Sequence, residues 1–302
     1  MARRRRAPWE NRLRLGSLAL ALRLLSGFFG VLSWRAGQRF GRGLGTLGWW
    51  VSRRDRRRAL EHLALAFPEL SENERRQLGH ACFRHLGETL AECLHLFQKD
   101  GATLDRWVRM EGWEHVEQAR AAGRPLLILT GHCGNWELLA AALNHRGLEM
   151  SVVARSLDEP ALQRMLGGLR ERFGTPTIER GSDGAARALL TQLRRGGAIG
   201  MLIDQDTKVD GVWVPFFGQP AFTPVGAAKI ALRQGVVLLP TFIERLADGS
   251  HAARIEPPLA LPDDLTAATA LMTEAIERQI RHRPEQWVWM HRRWRRQPPA
   301  GG

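Results

Sequence analysis

Cysteine is scarce in this chain of 302 residues: Cys82, Cys93 and Cys133 are the only three, and they form no spaced set. So sparse and odd a count argues against a disulfide scaffold and against a cysteine-based zinc site, and it fits a reducing, cytoplasmic exposure. Acidic side chains are almost missing from the start of the chain. Residues 1–60 hold fifteen arginines against Glu10 and Asp55, whereas the rest balances at 29 basic and 29 acidic side chains. The net charge of +13 therefore belongs to the N-terminal segment. A nucleic-acid enzyme more often carries its excess along the substrate groove, so no nucleic-acid partner is expected. There is no Walker loop, no glycine fingerprint between a strand and a helix, no internal repeat and no low-complexity linker. Dinucleotide and nucleoside triphosphate chemistry lose support accordingly.

The basic segment is also apolar. Arg3 to Arg6 open the chain, and no convincing signal-peptide cleavage site follows. Leu13 to Trp34 is largely apolar, long enough at ~20 residues to cross a bilayer. Arg14 and Arg23 interrupt it, and an arginine near a helix centre costs ~2.5–3.5 kcal/mol on insertion. A helix lying in the membrane plane is at least as good a reading as a span, with a soluble amphipathic helix as the alternative. Trp34, Trp49 and Trp50 suit an interface, and Arg53, Arg54, Arg56, Arg57 and Arg58 follow, a mixture that fits anionic lipid. The division expected is a membrane-anchoring segment, 1–58, and a catalytic domain, 59–302.

Beyond it, Ala59 to Phe67 and Glu72 to Phe97 read as helices, the first ended by Pro68 and the second capped by Ser71. His80, His85 and His95 lie among the apolar positions of the second. No matching carboxylate pattern accompanies them, so they read as structural or solvated rather than as a metal site. A rhythm of strand and helix then sets in. Strands are expected at Met150 to Ala154, Ala198 to Ile203 and Val236 to Phe242, with a short edge near Ile178. Helices are expected at Leu162 to Arg172, about Asp183 to Arg194, and Gly226 to Arg233. The fold class is α/β, a largely parallel mixed sheet flanked by helices. Val212 to Phe217 could line an acyl channel, touch a bilayer or pack as a sheet edge. Leu265 to Ile280 reads as an amphipathic helix. Pro284 to Arg296 interleaves tryptophan and arginine, which suits stacking on bases or a membrane interface.

The stretch that carries chemistry is Leu126 to Glu137, LLILTGHCGNWE. A short apolar run bounded by glycine is a buried strand, and the Leu- and Ala-rich run after Glu137 is a helix, with Asn135 a plausible N-cap. His132 then sits at a strand-to-helix turn, where open α/β sheets bind ligands. Strand ends bring Arg155 and Asp204 towards the same edge. Imidazole is suited to take a proton near neutral pH, and a carboxylate can orient it. Glu137 is the nearest candidate in the chain. The bland alternative is that His132 and Glu137 serve only the helix terminus. A catalytic Cys133 is disfavoured, because adjacent residues in a turn usually point apart.

His-x4-Glu in the form GHCGNWE resembles the motif of the late lipid A acyltransferases, the lauroyl and myristoyl transferases of Gram-negative envelopes. The likeness runs from 103 to 296, through Val153-Ala154-Arg155, Ile178-Glu179-Arg180, Asp204-Gln205-Asp206 and Val212 to Gly218, to PEQWVWMHRRW. It implies a glycerol-3-phosphate acyltransferase-like fold with an N-terminal membrane-attached helix. It implies acyl-carrier protein as donor, an anionic Kdo-bearing lipid A precursor as acceptor, and no metal or cofactor. The enzyme would sit at the inner membrane with its catalytic domain on the cytoplasmic face. His132 would be the general base, held by Glu137. Arg155, Arg170 and Arg180 would bind acceptor phosphate or carboxylate, and Asp204 would orient one of them or the acceptor sugar. Backbone N–H groups from Gly131 to Asn135 could receive the oxyanion. Another lipid acceptor, such as ornithine lipid or phosphatidylinositol mannoside, is the alternative, and a non-catalytic membrane- or nucleic-acid-binding protein a more distant one.

Overall fold

The computed structural model describes residues 24–157 and 159–298. The opening arginines and the first half of the apolar stretch, through Arg23, lie outside the described residues. Residues 24–31 are helical and are called α1. Then come α2 (Trp34–Val51), α3 (Arg53–Ala66), α4 (Glu72–Leu96) and α5 (Gly101–Trp107). Strand and helix alternate next: β1 (Val108–Glu111), α6 (Trp113–Ala121), β2 (Leu126–Thr130), α7 (Trp136–His145), β3 (Met150–Ala154), α8 (Pro160–Arg172), β4 (Thr177–Glu179), α9 (Ala185–Arg194) and β5 (Ala198–Leu202). The remainder is a hairpin of β6 (Gly211–Phe216) and β7 (Gln219–Pro224), α10 (Gly226–Arg233), β8 (Val237–Arg245), β9 (His251–Ile255), α11 (Leu265–His282) and a single 3-10 turn, Pro284–Gln286.

Seven strands form one sheet in the order β1-β9-β8-β2-β5-β3-β4. From β8 to β4 all neighbours are parallel, β9 runs against β8, and β1 follows β9. The sheet is thus largely parallel and mixed, as the alternation predicts. β2 lies near its centre and is buried along its whole length. Leu127 and Leu129 pack into one core, with α11 and the C-terminal tryptophans, while Leu126 and Ile128 pack into the other, with α6 and α7. A strand covered on both faces has no polar side to show, which is why its sequence reads as an unbroken apolar run.

Local chemistry explains the helix ends. Ser71 and Glu74 close a capping box at α4: the Ser71 N–H donates to Glu74 Oε2 at 2.8 Å, and the Glu74 N–H donates back to Ser71 Oγ at 3.3 Å. The α2 and α4 axes approach closely because glycines face each other. A side chain at Gly41, Gly45 or Gly87 would collide with the backbone carbonyl of Gly87, Phe83 or Gly41 respectively. Gly43 to Gly48 spell G-x-G-x-x-G, but they lie inside α2, with no strand before them, and so form no phosphate loop.

Several surface expectations are overturned. Trp34 and Trp49 face the protein, each 4 % exposed, and only Trp50 at 62 % meets solvent. Trp34 stacks on Trp107 and donates its N–H to Gly249 O at 3.1 Å. Trp287 and Trp289 are completely buried, packed with Phe216 and Phe217 of the hairpin, so neither a base-stacking platform nor a membrane belt is built there. Arg293 is buried as well, donating to Phe222 O and Thr223 Oγ1 of β7, while Arg295 and Arg296 pair with Asp206. Val212 to Phe217 belong neither to a free loop nor to an edge of the main sheet: they form a separate two-stranded hairpin with β7, its Val214, Phe216, Phe217 and Ala221 buried in the core. The boundary at 58 falls inside α3. Among the described residues no helix is long and apolar enough to cross a membrane.

Candidate active site

The site follows from strand register. β2 and β5 are parallel neighbours with Thr130 opposite Leu202. Two residues further along each strand come His132 and Asp204, side by side above the carboxyl ends. Asp204 Oδ1 accepts from His132 Nδ1 at 2.8 Å. Asp204 Oδ2 accepts from the His132 backbone N–H at 2.8 Å and from Trp287 Nε1 at 2.8 Å. Burial raises the pKa of a carboxyl, but here the His132 charge and these hydrogen bonds prevail and hold Asp204 well below the usual carboxylate range. The His132 side chain remains 22 % exposed. Its Nε2 makes no hydrogen bond among the described residues, and its ring packs T-shaped against Trp136 with centroids 4.9 Å apart.

The turn that carries His132 is pinned from below. Gly134 has φ +60°, and a side chain there would collide with Ile243 O, so glycine is required. The Gly134 N–H donates to Gln286 O at 2.8 Å. Asn135 caps α7 as predicted, its Oδ1 accepting from the Leu138 N–H at 3.0 Å. Its Nδ2 donates to Glu92 Oε2 at 2.8 Å. Glu92 in turn forks Arg245, whose Nε and Nη2 reach its oxygens at 2.7 and 2.9 Å. Arg245 also holds Glu88, Thr89 and His85, all of them buried.

Glu137 has a different partner from the one expected. Both its oxygens are engaged by Arg170, Nη2 to Oε1 at 2.6 Å and Nε to Oε2 at 2.9 Å, and it makes no hydrogen bond to His132. The physical reason is that Glu137 is already in the first turn of α7 and points across to α8, whereas His132 is turned towards β5. The carboxylate that orients His132 comes from the neighbouring strand instead. Arg170 is correspondingly committed: burial lowers its pKa, and the Glu137 hydrogen bonds and charge reverse that and raise it. Arg155, at the end of β3, is exposed. Arg180 donates to Thr207 Oγ1 at 3.3 Å, and its pKa is lowered by burial and then by the charge of Arg155. These two cations therefore share one corner of the sheet edge. In the turn, the His132 and Gly134 N–H groups are taken by Asp204 and Gln286, so they cannot form the oxyanion cradle envisaged for Gly131 to Asn135. Cys133 is buried, and burial followed by the Asp204 charge drives its thiol far above the ordinary range, away from thiolate chemistry.

Sequence reasoning missed the Asp204 role because it looked for His132's partner within one loop. The available signal was the equal offset: an acid two residues after β5, beside a histidine two residues after β2. Trp287 left no such signal, since its pairing depends on how the C-terminal segment packs.

An α/β protein with a histidine–aspartate pair at the end of its central strands is what the fold and site define. The chain belongs to the bacterial lipid A biosynthesis acyltransferase family, whose model matches residues 27–296. It is similar to the lipid A biosynthesis lauroyltransferase of Escherichia coli K12, 29 % identical over 86 % of this chain and 85 % of that protein. It is similar also to a lipid A biosynthesis acyltransferase of Haemophilus influenzae, 27 % identical over 82 % and 78 %. A phosphatidylinositol mannoside acyltransferase of Mycobacterium tuberculosis is 28 % identical over 61 % of this chain and 58 % of its own length.

Proposed function

We propose that this protein moves a fatty acyl chain from acyl-carrier protein to a hydroxyl of an anionic, Kdo-bearing lipid A precursor, working on the cytoplasmic face of the inner membrane. The observation that carries the reading is His132, with one ring nitrogen fixed by buried Asp204 and the other uncommitted at the open sheet edge. A carboxylate partner places the proton on Nδ1, so Nε2 offers a lone pair. Nε2 takes the proton of the acceptor hydroxyl as its oxygen attacks the thioester carbonyl. The C–O bond forms, the tetrahedral intermediate collapses, the C–S bond breaks, and the proton passes from His132 to the departing thiolate. Asp204 stabilises the transient imidazolium. The nucleophile comes from substrate, which fits the inert thiol of Cys133.

Arg155 and Arg180 would receive acceptor phosphate or carboxylate, because guanidinium forks match those groups. Arg170 does not join them, being paired with Glu137. Bilayer contact would fall to α1 and α2, where Phe28, Val31, Phe40, Leu44, Leu47 and Trp50 are exposed, with Arg53, Arg54 and Arg57 exposed just beyond. Apolar residues on one side and cations at the margin are the pattern of a helix lying in an anionic interface. A mannoside acceptor is the second reading, from the mycobacterial relatives, but these match 61 % of the chain against 86 % for the E. coli lauroyltransferase.

The test is to incubate detergent-purified protein with lauroyl-, myristoyl- and palmitoleoyl-carrier protein and Kdo2-lipid IVA, beside His132→Ala, and to weigh the lipids. One added acyl chain, absent in the variant, is the expected result. Thioester hydrolysis without lipid gain would move the acceptor elsewhere, and an untouched thioester would sink the mechanism.

A further inference from the structure

We propose that Trp287 is a positioning residue for the His132–Asp204 pair: its indole N–H holds the Asp204 carboxylate in the one rotation that presents Oδ1 to the imidazole. The two carboxylate oxygens are chemically equal, and only their partners distinguish them. Oδ2 accepts from Trp287 Nε1 and from the His132 backbone N–H, each at 2.8 Å, which leaves Oδ1 for His132 Nδ1. Asp204 is 1 % exposed, so no water can replace a missing donor without opening the core. The indole N–H donates and cannot accept, so it favours the ionised carboxylate over the protonated acid.

Trp287 is itself fixed from several sides. Its carbonyl accepts from Cys82 Sγ at 3.0 Å, and its ring packs against Trp289 and Phe216 with centroids 4.7 and 5.7 Å away. The preceding residue is locked more firmly still. Gln286 Oε1 accepts from the Arg245 N–H at 2.8 Å, Gln286 Nε2 donates to Arg245 O at 2.9 Å, and Gln286 O accepts from the Gly134 N–H at 2.8 Å. Two successive residues of the C-terminal segment thus grip the catalytic turn, Gln286 at Gly134 and Trp287 through Asp204. A tryptophan with this donor geometry does something that an equally buried phenylalanine would not.

The kinetic arm of the test rests on the acyl transfer proposed above, whereas the spectroscopic arm does not. Full-length protein labelled with ¹⁵N-histidine in micelles should show a low-field proton for the His132 Nδ1–H bonded to Asp204, identified by its loss in His132→Ala. In Trp287→Phe that resonance should be lost to exchange. The value of kcat should fall about 10- to 100-fold, the range set by one hydrogen bond to a charged group, with KM for both substrates within about twofold. In an Asp204→Ala background the same substitution should change kcat less than about twofold, because the partner it acts through is gone. Should Trp287→Phe fold poorly, 3-benzothienylalanine at 287 keeps the ring volume and removes only the N–H. Retention of the resonance with wild-type kcat, or an undiminished effect in the Asp204→Ala background, overturns the inference. A wild-type protein that shows the resonance but transfers no acyl group overturns the reaction instead, and the Trp287→Phe spectrum then decides the inference alone.

Discussion

Two histidines hold the same turn, and they differ in what their ring nitrogens touch. His85 is 4 % exposed, with Nε2 against Gly134 O at 3.2 Å and Thr89 Oγ1 at 3.4 Å, and Nδ1 against Arg245. Burial, then the Arg245 charge, push its pKa well below the ordinary histidine value, so it stays neutral. His132 stands two residues before Gly134 with only Nδ1 occupied and its ring 22 % exposed. Proximity to acid does not distinguish them, since Glu88 and Glu92 lie within the His85 network as Asp204 lies beside His132. What distinguishes them is that one ring has both nitrogens engaged, whereas Nε2 of the other, in a ring 22 % exposed, makes no hydrogen bond among the described residues.

The largest expected effect tests that contrast directly. His132→Ala should lower kcat by about 10³- to 10⁴-fold, the upper part of the range for a general base, with little change in melting temperature. His85→Ala should do the reverse. Removing its ring leaves Gly134 O and the Arg245 guanidinium short of a partner, costing about 1–3 kcal/mol of stability, while the folded fraction keeps kcat within a few-fold. Denaturant titration and initial rates on the same preparations would show it. Equal losses of kcat at unchanged stability would break the comparison.

The two carboxylates come next. Asp204→Asn should lower kcat about 10²- to 10⁴-fold, because the amide no longer fixes the imidazole tautomer or steadies its charge. Glu137→Gln should act on stability first. It leaves the guanidinium of Arg170, 17 % exposed, without its counter-charge, at a cost near the low end of the ~3–5 kcal/mol seen for broken buried pairs. The Glu137→Ala/Arg170→Ala double variant should recover part of that loss. If Glu137→Gln lowers kcat as far as Asp204→Asn and leaves stability intact, Glu137 takes part in the chemistry and the assignment to Asp204 alone is wrong.

How much of this was legible in the sequence depends on the range of the contact. The strand LLIL, the Asn135 cap and the Ser71 cap are set by neighbours within a few residues, and each is readable from spacing. The edge that gathers His132, Arg155 and Asp204 is readable too, because parallel strands share a carboxyl end. The pairing at that edge is not. It depends on β5 lying beside β2, which separates His132 from Asp204 by 72 positions in the chain. The Trp and Arg residues of the C-terminus misled for a related reason: interface-like composition describes Trp287 and Arg293 equally well as exposed or as fully buried. Only packing tells Trp50, which faces outward, from Trp49 beside it, which does not.

The smallest expected effect sharpens the comparison with a third histidine. His291 lies in the C-terminal segment, its Nδ1 buried without a hydrogen-bond partner. Burial lowers its pKa to about 4, the Asp204 charge pulling it up and His132, Arg293 and His62 pushing it down. Its ordinary value is 6.5, so between those limits the unfolded chain binds the proton that the folded chain refuses. The stabilising contribution is therefore complete above pH 6.5 and is lost as pH falls through about 4. His62, His80, His85 and His95, with pKa values also lowered by burial, act in the same direction. Asp204 acts lower on the scale: as a carboxylate held below its ordinary value, it gives up stability only in stronger acid. Urea unfolding at pH 7.5 and 5.0 should show wild-type protein less stable at the lower pH. His291→Asn should show a smaller drop, the remainder belonging to His62, His80, His85 and His95. An identical drop in both proteins would mean that His291 meets enough water to titrate normally, and would remove it from the closed histidines, of which His85 is one.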